Sequence, residues 1–413
     1  MRKRRAAVVS LACVVAAGLA LDAFIDRTHD VVGSGAHQGG ARQGGVRQGG
    51  GGGGAASPDA AAGPAGARLR VVTGPRPQGD GPRDPLGLPP PPRRRLSLML
   101  PLGPASRNAD HGRLELLLRS LAKFFDLDAV ETLLVATPNA TTVRLLLSSI
   151  ARRGGSSALD ALVAKADVVN DAELAPEVAQ REERGRNHVS GYTKQQIMKL
   201  AAAARVSTEY YLTLDADVLC VRPTGYDDLI RGPSATSSGR AVVNMTPLSR
   251  HRDWFKAADH LLGTSLGHDR ADDWPVMGVT PSLMHAASVR ELGKALERRH
   301  PSAESWREVL ATHDDGHWTG EYALYFTYLC RDGDYGRFDE LYDRHAKEAM
   351  YLSSGFSVWD AEGFAAFDPR RAFGDAEEDE DKRRGYFIIV QSRSGVTPAA
   401  VREAVEPYLR LPP

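Results

Sequence analysis

Two aspartates, Asp215 and Asp217, come directly after an apolar and aromatic run over residues 210–214. The run predicts a buried strand with the two acids at its C-terminal end. In open α/β sheets, ligands collect outside the carboxyl ends of the strands, and alternate carboxylates there can hold a divalent cation that bridges phosphates. Mg²⁺ or Mn²⁺ suits such oxygen ligands. Aspartates also end strands and cap helices for structural reasons, but the strongly apolar strand favours a metal site.

A predicted helix over residues 191–200 immediately precedes this strand. Its Lys194 and Lys199 can neutralise phosphate, and Gln195 and Gln196 can hydrogen-bond a sugar or a base. The same spacing fits an ordinary amphipathic helix with solvated lysines. Both interpretations stay open, although the two neighbouring aspartates add weight to ligand binding.

A second polar stretch, residues 313–322, combines acids, histidines and an aromatic residue ahead of an aromatic helix. Glu321 can serve as a general base on an acceptor hydroxyl, with Asp314 or Asp315 as alternates. Trp318 can stack on a sugar ring. Capping of the helix by Asp and Thr is the structural alternative for the whole cluster.

Three histidines are candidates for a metal site. His313 and His317 have the H-x-x-x-H spacing of a zinc-protease helix, but Asp314 replaces the Glu of that motif and a glycine weakens the helix. The pattern therefore disfavours zinc. His285, which follows a predicted strand over residues 276–280 and a turn, can complete a Mg²⁺ or Mn²⁺ shell. A lone histidine is, however, more often a structural residue.

Composition excludes some classes of function. The chain has 413 residues, and its 52 Lys and Arg balance its 52 Asp and Glu, so no overall charge favours nucleic acid. Cys13 lies in an N-terminal apolar run, which leaves Cys220 and Cys330. These two can pair in an oxidising lumen, but a pair of buried free thiols is the simpler interpretation, and neither a disulfide framework nor a zinc signature is present.

The N-terminal quarter predicts a targeting segment followed by a flexible stem. Basic residues 2–5 precede an apolar run over residues 6–21, which predicts a signal or membrane anchor within residues 1–26. The basic flank would stay cytoplasmic and leave the rest of the chain in the lumen. Residues 27–95 are rich in Gly, Pro and Arg and predict a disordered stem. One catalytic domain, residues 96–413, would follow.

Strand and helix patterns alternate from residue 96 to the aspartates, which predicts an α/β fold with a doubly wound, mostly parallel sheet flanked by helices. The alternation loosens in a more irregular C-terminal half, where an acidic run at residues 377–382 reads as a solvated loop. Polar residues 391–395 follow a late strand and are a candidate phosphate or acceptor contact. Strands are predicted over residues 96–100, 132–136, 166–169, 209–214, 241–245, 276–280 and 385–390, and the main helices over 114–125, 143–153, 192–204, 254–262, 288–299, 321–329 and 398–409.

Taken together, these motifs resemble the GT-A superfamily of nucleotide-sugar glycosyltransferases, in particular its DUF6492-like group. The resemblance covers about residues 96–396 and is carried by the strand that ends at Asp217, the helix with Lys194 and Lys199, and the Trp-Thr-Gly-Glu segment around Glu321. It implies a divalent ion held against the donor diphosphate, with Asp217 the closer ligand and Asp215 reaching the ribose or the metal. Glu321 would match the base of the inverting members.

The resemblance implies a metal-dependent transferase that moves a sugar from a UDP- or GDP-sugar to a hydroxyl of a glycan or glycoprotein. With the anchor and stem, it would be a single-pass protein of the Golgi or ER membrane with a lumenal catalytic domain, or a secreted one if the first segment is cleaved. Two alternatives remain open. One is a nucleotide-sugar-binding protein without turnover, and the other is a metal-dependent phosphohydrolase.

Overall fold

The computed structural model describes residues 94–103, 108–184, 189–232, 239–313, 320–332, 338–339, 351–374 and 384–412. The predicted anchor, the stem up to residue 93 and the acidic run lie outside these ranges. So do residues 314–319 of the second polar stretch, which include Asp314, Asp315, His317 and Trp318. Within the described ranges, no helix has the length and hydrophobicity needed to cross a membrane.

The longest strands lie at the start of the domain, and the later ones are shorter. They are β1 (Leu96–Pro101), β2 (Val130–Thr137), β3 (Ala166–Asn170), β4 (Tyr210–Thr213), β5 (Val218–Cys220), β6 (Ile230–Arg231), β7 (Arg240–Val242), β8 (Met245–Pro247), β9 (Pro275–Met277), β10 (Ser282–His285), β11 (Phe338–Asp339), β12 (Tyr351–Ser353) and β13 (Gly385–Ile389).

Each of the seven main helices that the sequence predicts is present, and the structure adds further helices that the sequence pattern did not predict. They are α1 (Asn108–Phe124), α2 (Ala140–Gly154), α3 (Ser157–Ala164), α4 (Asp171–Leu174), α5 (Pro176–Glu183), α6 (Gly191–Ala201), α7 (Tyr226–Leu229), α8 (Arg252–Leu262), α9 (Leu266–Asp269), α10 (Ala286–Arg299), α11 (Trp306–Thr312), α12 (Glu321–Asp332), α13 (Ala361–Ala365), α14 (Pro369–Phe373) and α15 (Pro398–Val405).

The central sheet has five strands in the order β10-β4-β1-β2-β3. The neighbours β4, β1, β2 and β3 are parallel, and β10 is antiparallel to β4. The chain adds strands outward from β1 through β2 to β3. It then returns and places β4 on the other side of β1, as in a doubly wound sheet. This confirms the predicted α/β fold. Ligands bind outside the carboxyl ends of such strands where the order reverses, which here is between β1 and β4.

The strands at this point are buried along their whole length. All residues of β1 and β4 are buried, which explains their nearly continuous apolar sequence, since parallel strands are covered on both faces. Leu98 pairs with Leu212 and Met99 with Thr213. The amide of Leu214 still donates to the Met99 carbonyl at 2.8 Å, so the chain leaves the sheet just before the first aspartate.

The apolar residues after the aspartates belong to a different sheet. β5 pairs antiparallel with β13, and β13 is parallel to β12. The sequence predicts one strand here, over residues 209–214, whereas in the structure a second strand, β5, follows the segment that carries both acids. As a result, Asp217 lies between two sheets, and its carbonyl accepts from the Val390 amide at 2.9 Å.

Two strand predictions in the C-terminal half need correction. The predicted strand over residues 276–280 is β9, which pairs with β8 and not with the central sheet. The strand that joins the central sheet is β10, at residues where the pattern predicts a turn. The predicted strand over residues 241–245 divides into β7 and β8. Cys220 and Cys330, both among the described residues, form no disulfide, as the simpler interpretation predicts, although only Cys220 is fully buried.

Candidate functional site

A cavity of about 370 Å³ opens at the carboxyl ends of β1 and β4. Helix α6, the segment after β4, the start of α12 and the turn after β13 each contribute side chains to it. The residues that line it are Pro101, Tyr192, Gln195, Gln196, Lys199, Asp215, Ala216, Asp217, His251, Trp254, Val279, Thr280, Glu321, Tyr322, Trp359, Ile389, Gln391, Ser392 and Arg393. The cavity brings together most of the site residues that the sequence predicts.

A buried ammonium group stands at the centre of the site. Lys199 Nζ lies 2.9 Å from Asp215 Oδ1 and 2.9 Å from Glu321 Oε1, and it donates to Thr280 Oγ1 at 3.0 Å. Burial alone would lower the pKa of Lys199, but the carboxylates of Asp215 and Glu321 outweigh burial and hold the pKa well above its usual range. The lysine is therefore a fixed cation that joins the two predicted acids.

Hydrogen bonds behind the lysine fix the floor of the site. The Tyr322 hydroxyl lies 2.8 Å from Thr213 Oγ1 and 2.8 Å from Thr280 Oγ1, and its ring faces Lys199 Nζ, with 5.2 Å from the nitrogen to the centroid. Burial raises the pKa of Tyr322, so the phenol stays protonated. These contacts join β4, the segment before β10 and the start of α12. They hold Glu321 at the cavity wall.

Helix α6 places Lys199 but not Lys194 at the cavity. Ser190 caps the helix by accepting from the Thr193 amide, and Lys199 lies in its buried last turn. Lys194 points to α5 instead, where Nζ bonds Glu182 Oε2 at 2.6 Å. We therefore remove Lys194 from the predicted ligand-binding residues. Gln195 and Gln196 do line the cavity.

Asp217 is more buried than Asp215. Its side-chain Oδ2 accepts from the Ser392 amide at 2.7 Å. Burial, with the nearby charge of Asp215, raises the pKa of Asp217 to about 6. Burial and the charge of Asp215 disfavour the ionised form of Asp217, so a cation that binds beside the carboxylate would stabilise it.

Arg113 of α1 supports the turn next to Asp217, and the sequence pattern missed this role. Its guanidinium donates to the carbonyls of Val390 at 2.5 Å and Val396 at 2.7 Å, and its side chain is buried. The arginine thus holds the turn that presents Ser392 to Asp217, and its charge opposes the rise in the pKa of Asp217. No local motif marks this residue, because its partners lie 277 and 283 positions away.

The predicted phosphate contact at residues 391–395 does lie at the cavity. Gln391, Ser392 and Arg393 line it, and the Arg393 guanidinium carbon lies 5.6 Å from the centroid of the Tyr192 ring. Arg393 therefore adds positive charge on the side of the cavity next to Asp217. An anionic group bound on this side of the cavity would be neutralised by Arg393.

His285 lies at the opposite end of β4 from the aspartates. It pairs with Tyr210 at the start of β4, whereas Ser282 pairs with Thr213 at the end. Three residues of strand separate these ends by about 10 Å. Its ring contacts Glu209 at 3.4 Å and Ser288 at 2.8 Å. We therefore remove His285 from the predicted metal ligands, because the antiparallel direction of β10 carries it away from the site.

Two exposed aromatic side chains lie at the cavity mouth, and no sequence motif marks them. The Trp359 side chain is 50% exposed and that of Tyr192 is 41% exposed, although both line the cavity. Deeper in the cavity, the rings of His251 and Trp254 stack with centroids 4.2 Å apart. Flat apolar faces beside charged groups are suited to a sugar ring, which has both C–H faces and hydroxyl groups.

Asp215 and Asp217 are suited to a hard divalent cation. Among the described residues there is no group of three or more His, Cys, Asp or Glu side chains that could hold a metal. Mg²⁺, however, is usually bound through one or two carboxylates plus substrate phosphates, so two acids are sufficient. The raised pKa of Asp217 fits the same role, since a cation would relieve the repulsion between the acids.

Several solved structures match part of the chain, all at low sequence identity and with TM-scores below 0.5. Mouse xyloside xylosyltransferase 1 in its apo form is 16% identical, with a TM-score of 0.35, and the match covers 58% of this chain and 83% of that chain. Core-mannan synthase A from Aspergillus fumigatus, in a Mn/GDP form, is 10% identical, with a TM-score of 0.31 and coverage of 58% and 70%. Glucosyl-3-phosphoglycerate synthase from Mycobacterium tuberculosis, solved with Mn²⁺ and UDP, is 16% identical, with a TM-score of 0.27 and coverage of 47% and 58%.

Sequence comparison identifies the family. No curated protein matches the chain significantly. A family model described as a family of unknown function, DUF6492, matches residues 93–412, which include all the described strands and helices and the whole cavity. The chain therefore belongs to the DUF6492 family.

Proposed function

We propose that this protein is a metal-dependent glycosyltransferase that moves a sugar from a nucleotide-sugar donor to a hydroxyl group. The observation that carries the proposal is the cluster of Asp215, Asp217, Lys199 and Glu321 in one cavity at the reversal point of the sheet. It combines a cation site for a diphosphate with a separate buried carboxylate that can act as a base.

The two aspartates would bind Mg²⁺ or Mn²⁺ together with the donor diphosphate. When bound, the cation would stabilise the negative charge on the leaving nucleoside diphosphate. Lys199 holds Asp215 Oδ1, and the Ser392 amide holds Asp217 Oδ2, so both carboxylates are oriented before the donor arrives. Arg393 would add a second positive charge near the phosphates. The donor is a UDP- or GDP-sugar in this proposal.

Glu321 would take the proton of the acceptor hydroxyl. Its Oε1 is fixed by Lys199, and no described residue bonds its Oε2, which can face the acceptor. The side chain is only 5% exposed, so bulk water reaches it poorly. A general base must lie within hydrogen-bond reach of the proton that it removes, and Glu321 lines the cavity in which the reaction would occur.

The acceptor in this proposal is a glycan or glycoprotein. The exposed faces of Trp359 and Tyr192 at the cavity mouth support a carbohydrate, because aromatic rings stack on the apolar faces of sugars. The balanced charge of the chain gives no support to a nucleic acid partner. The basic and apolar N-terminal segment supports placement in the secretory pathway, on the Golgi or ER membrane.

Calorimetric titration tests the proposal directly. UDP and then GDP are titrated into the full-length protein, with and without Mn²⁺, and into the Asp217→Ala variant. We expect one nucleotide to bind only with Mn²⁺, and we expect Asp217→Ala to abolish that binding. An Asp217→Ala variant that keeps full Mn²⁺-dependent binding and transfer would refute the assignment.

A second assay separates turnover from binding. We expect the wild type to release nucleoside diphosphate from the bound nucleotide sugar, slowly to water and faster with an acceptor glycan. Metal-dependent binding without any release would favour a binding protein that lacks turnover. Release of inorganic phosphate in place of nucleoside diphosphate would favour a phosphohydrolase.

A further inference from the structure

The side-chain amide of Gln196 is buried, and no residue that the structure describes is its hydrogen-bond partner. The residue is 1% exposed and lines the cavity. Among the described residues, none donates to its Oε1 or accepts from its Nε2. A polar group that is buried and unpaired disfavours folding, and nearly all such groups in native proteins have a partner. Two unpaired atoms of one side chain in a binding cavity therefore indicate a role with a ligand.

The place of Gln196 on α6 indicates which part of the ligand it meets. It lies three residues before Lys199, so the two side chains share a face of the helix. Lys199 contacts Glu321, the proposed base, and the diphosphate would lie on the other side, between Asp217 and Arg393. The base must approach the acceptor next to the carbon from which the sugar is transferred. The ring of the transferred sugar would therefore occupy the space next to Lys199 and Gln196.

The chemistry of the amide matches a pair of sugar hydroxyls. Gln196 offers one acceptor and two donor hydrogens, and two neighbouring hydroxyls of a sugar ring can donate to the oxygen and accept from the nitrogen. We propose that Gln196 selects the donor by hydrogen-bonding hydroxyl groups of the transferred sugar. This inference depends on the proposed glycosyltransferase function and adds the residue that discriminates between donors.

The test compares a nucleotide with its nucleotide sugars. Calorimetry with Mn²⁺ gives dissociation constants for UDP, UDP-glucose, UDP-galactose, UDP-xylose and UDP-N-acetylglucosamine, or for GDP and GDP-mannose if the wild type prefers GDP. We expect Gln196→Leu to bind the free nucleotide within about twofold of the wild type. Its affinity for the preferred nucleotide sugar should fall by about tenfold or more, because two hydrogen bonds are lost.

Thermal unfolding of the same variant separates a binding role from a structural one. Because the amide makes no hydrogen bond to a described residue, Gln196→Leu should unfold at the same temperature as the wild type or at a higher one. Gln180→Leu makes the same chemical change on an exposed face of α5 and is the matched control. We expect it to leave both nucleotide and nucleotide-sugar binding unchanged.

Each failure has a distinct signature. If Gln196→Leu binds nucleotide sugars like the wild type, Gln196 does not contact the sugar and the inference alone is wrong. An equal loss of affinity for the nucleotide and for its nucleotide sugars would indicate that Gln196 contacts the base or the ribose, and this result would also overturn the inference. A large drop in unfolding temperature would show a structural role. Absence of nucleotide binding by the wild type would refute the glycosyltransferase proposal itself, and the inference with it.

Discussion

Asp217→Asn is the substitution whose effect on stability can be worked out most completely from the structure. Burial and the charge of Asp215 raise the pKa of Asp217 from 3.8 to about 6. The folded protein therefore binds a proton at this site more tightly than the unfolded chain does. Consequently, the free energy of unfolding of the wild type falls as the pH rises through this interval, and the full penalty is present at pH 7.

The size of the penalty follows from the shift in pKa. One pKa unit corresponds to about 1.4 kcal/mol, so the rise to about 6 corresponds to roughly 3 kcal/mol at neutral pH. Asparagine cannot titrate, and its side-chain oxygen can still accept from the Ser392 amide. The new amide NH₂ adds a cost that does not depend on pH. We therefore compare the free energies of unfolding of the variant and the wild type and follow how their difference changes with pH.

Urea unfolding in the presence of a chelator measures this difference without metal. Between pH 4 and pH 7.5, we expect the stability of Asp217→Asn to rise relative to the wild type by about 2 kcal/mol. Asp253→Asn is a suitable control, because the Asp253 side chain is 96% exposed. It should show no pH-dependent difference of that kind.

Two results would refute the reasoning. A difference between Asp217→Asn and the wild type that stays constant from pH 4 to pH 7.5 would show that the carboxyl is not perturbed by burial. A difference that grows in the opposite direction would show that neighbouring cations dominate its environment. In either case, Asp217 would not be the destabilised acid that a bound divalent cation is expected to relieve.

Three further predictions concern the surroundings of the aspartates. Lys199→Met should lower the free energy of unfolding by about 3–5 kcal/mol, because it leaves the buried Glu321 carboxylate and the partly buried Asp215 carboxylate without their cation. Adding Glu321→Gln should restore part of this loss, and a Lys199→Met variant as stable in urea as the wild type would contradict the cluster. Arg113→Met removes the donors to two backbone carbonyls, so we expect the free energy of unfolding to fall by about 2–3 kcal/mol. Calorimetry should also show weaker binding of the nucleotide with Mn²⁺, and unchanged binding would show that this turn does not support the site. Trp359→Ala should raise the KM for an acceptor glycan at least fivefold without changing donor hydrolysis, and Trp359→Phe should behave like the wild type; an effect on hydrolysis would place Trp359 at the donor.

The amino-acid sequence by itself predicts the elements that surround the carboxylates. β1 to β4 and α6 are each marked by local patterns, because a strand buried on both faces is almost wholly apolar and a helix repeats its buried positions. The break from an apolar strand into Asp215 and Asp217 is also local. These features require no knowledge of partners that are distant in the sequence.

The strand pairings that place side chains at one end of the sheet or the other are decided by the tertiary structure. The pattern predicts a turn just before residue 285, whereas the structure forms β10 there, and the antiparallel pairing of β10 with β4 places His285 at the far end from the aspartates. The sequence predicts one strand before the aspartates, whereas a second strand, β5, follows them and pairs with β13 in another sheet. A pattern of buried residues indicates which face is covered but not the direction or identity of the neighbour.

The contacts that complete the site join residues far apart in the chain. Lys199 bonds Glu321 across 122 positions, and Arg113 bonds the Val390 carbonyl across 277. Lys194, only five residues before Lys199 on the same helix, faces Glu182 instead. A lysine or arginine has the same local pattern whether its charge meets solvent, a surface acid or a buried carboxylate. The sequence therefore determined the acids and the elements that carry them, and only the packing of those elements decided which charges meet.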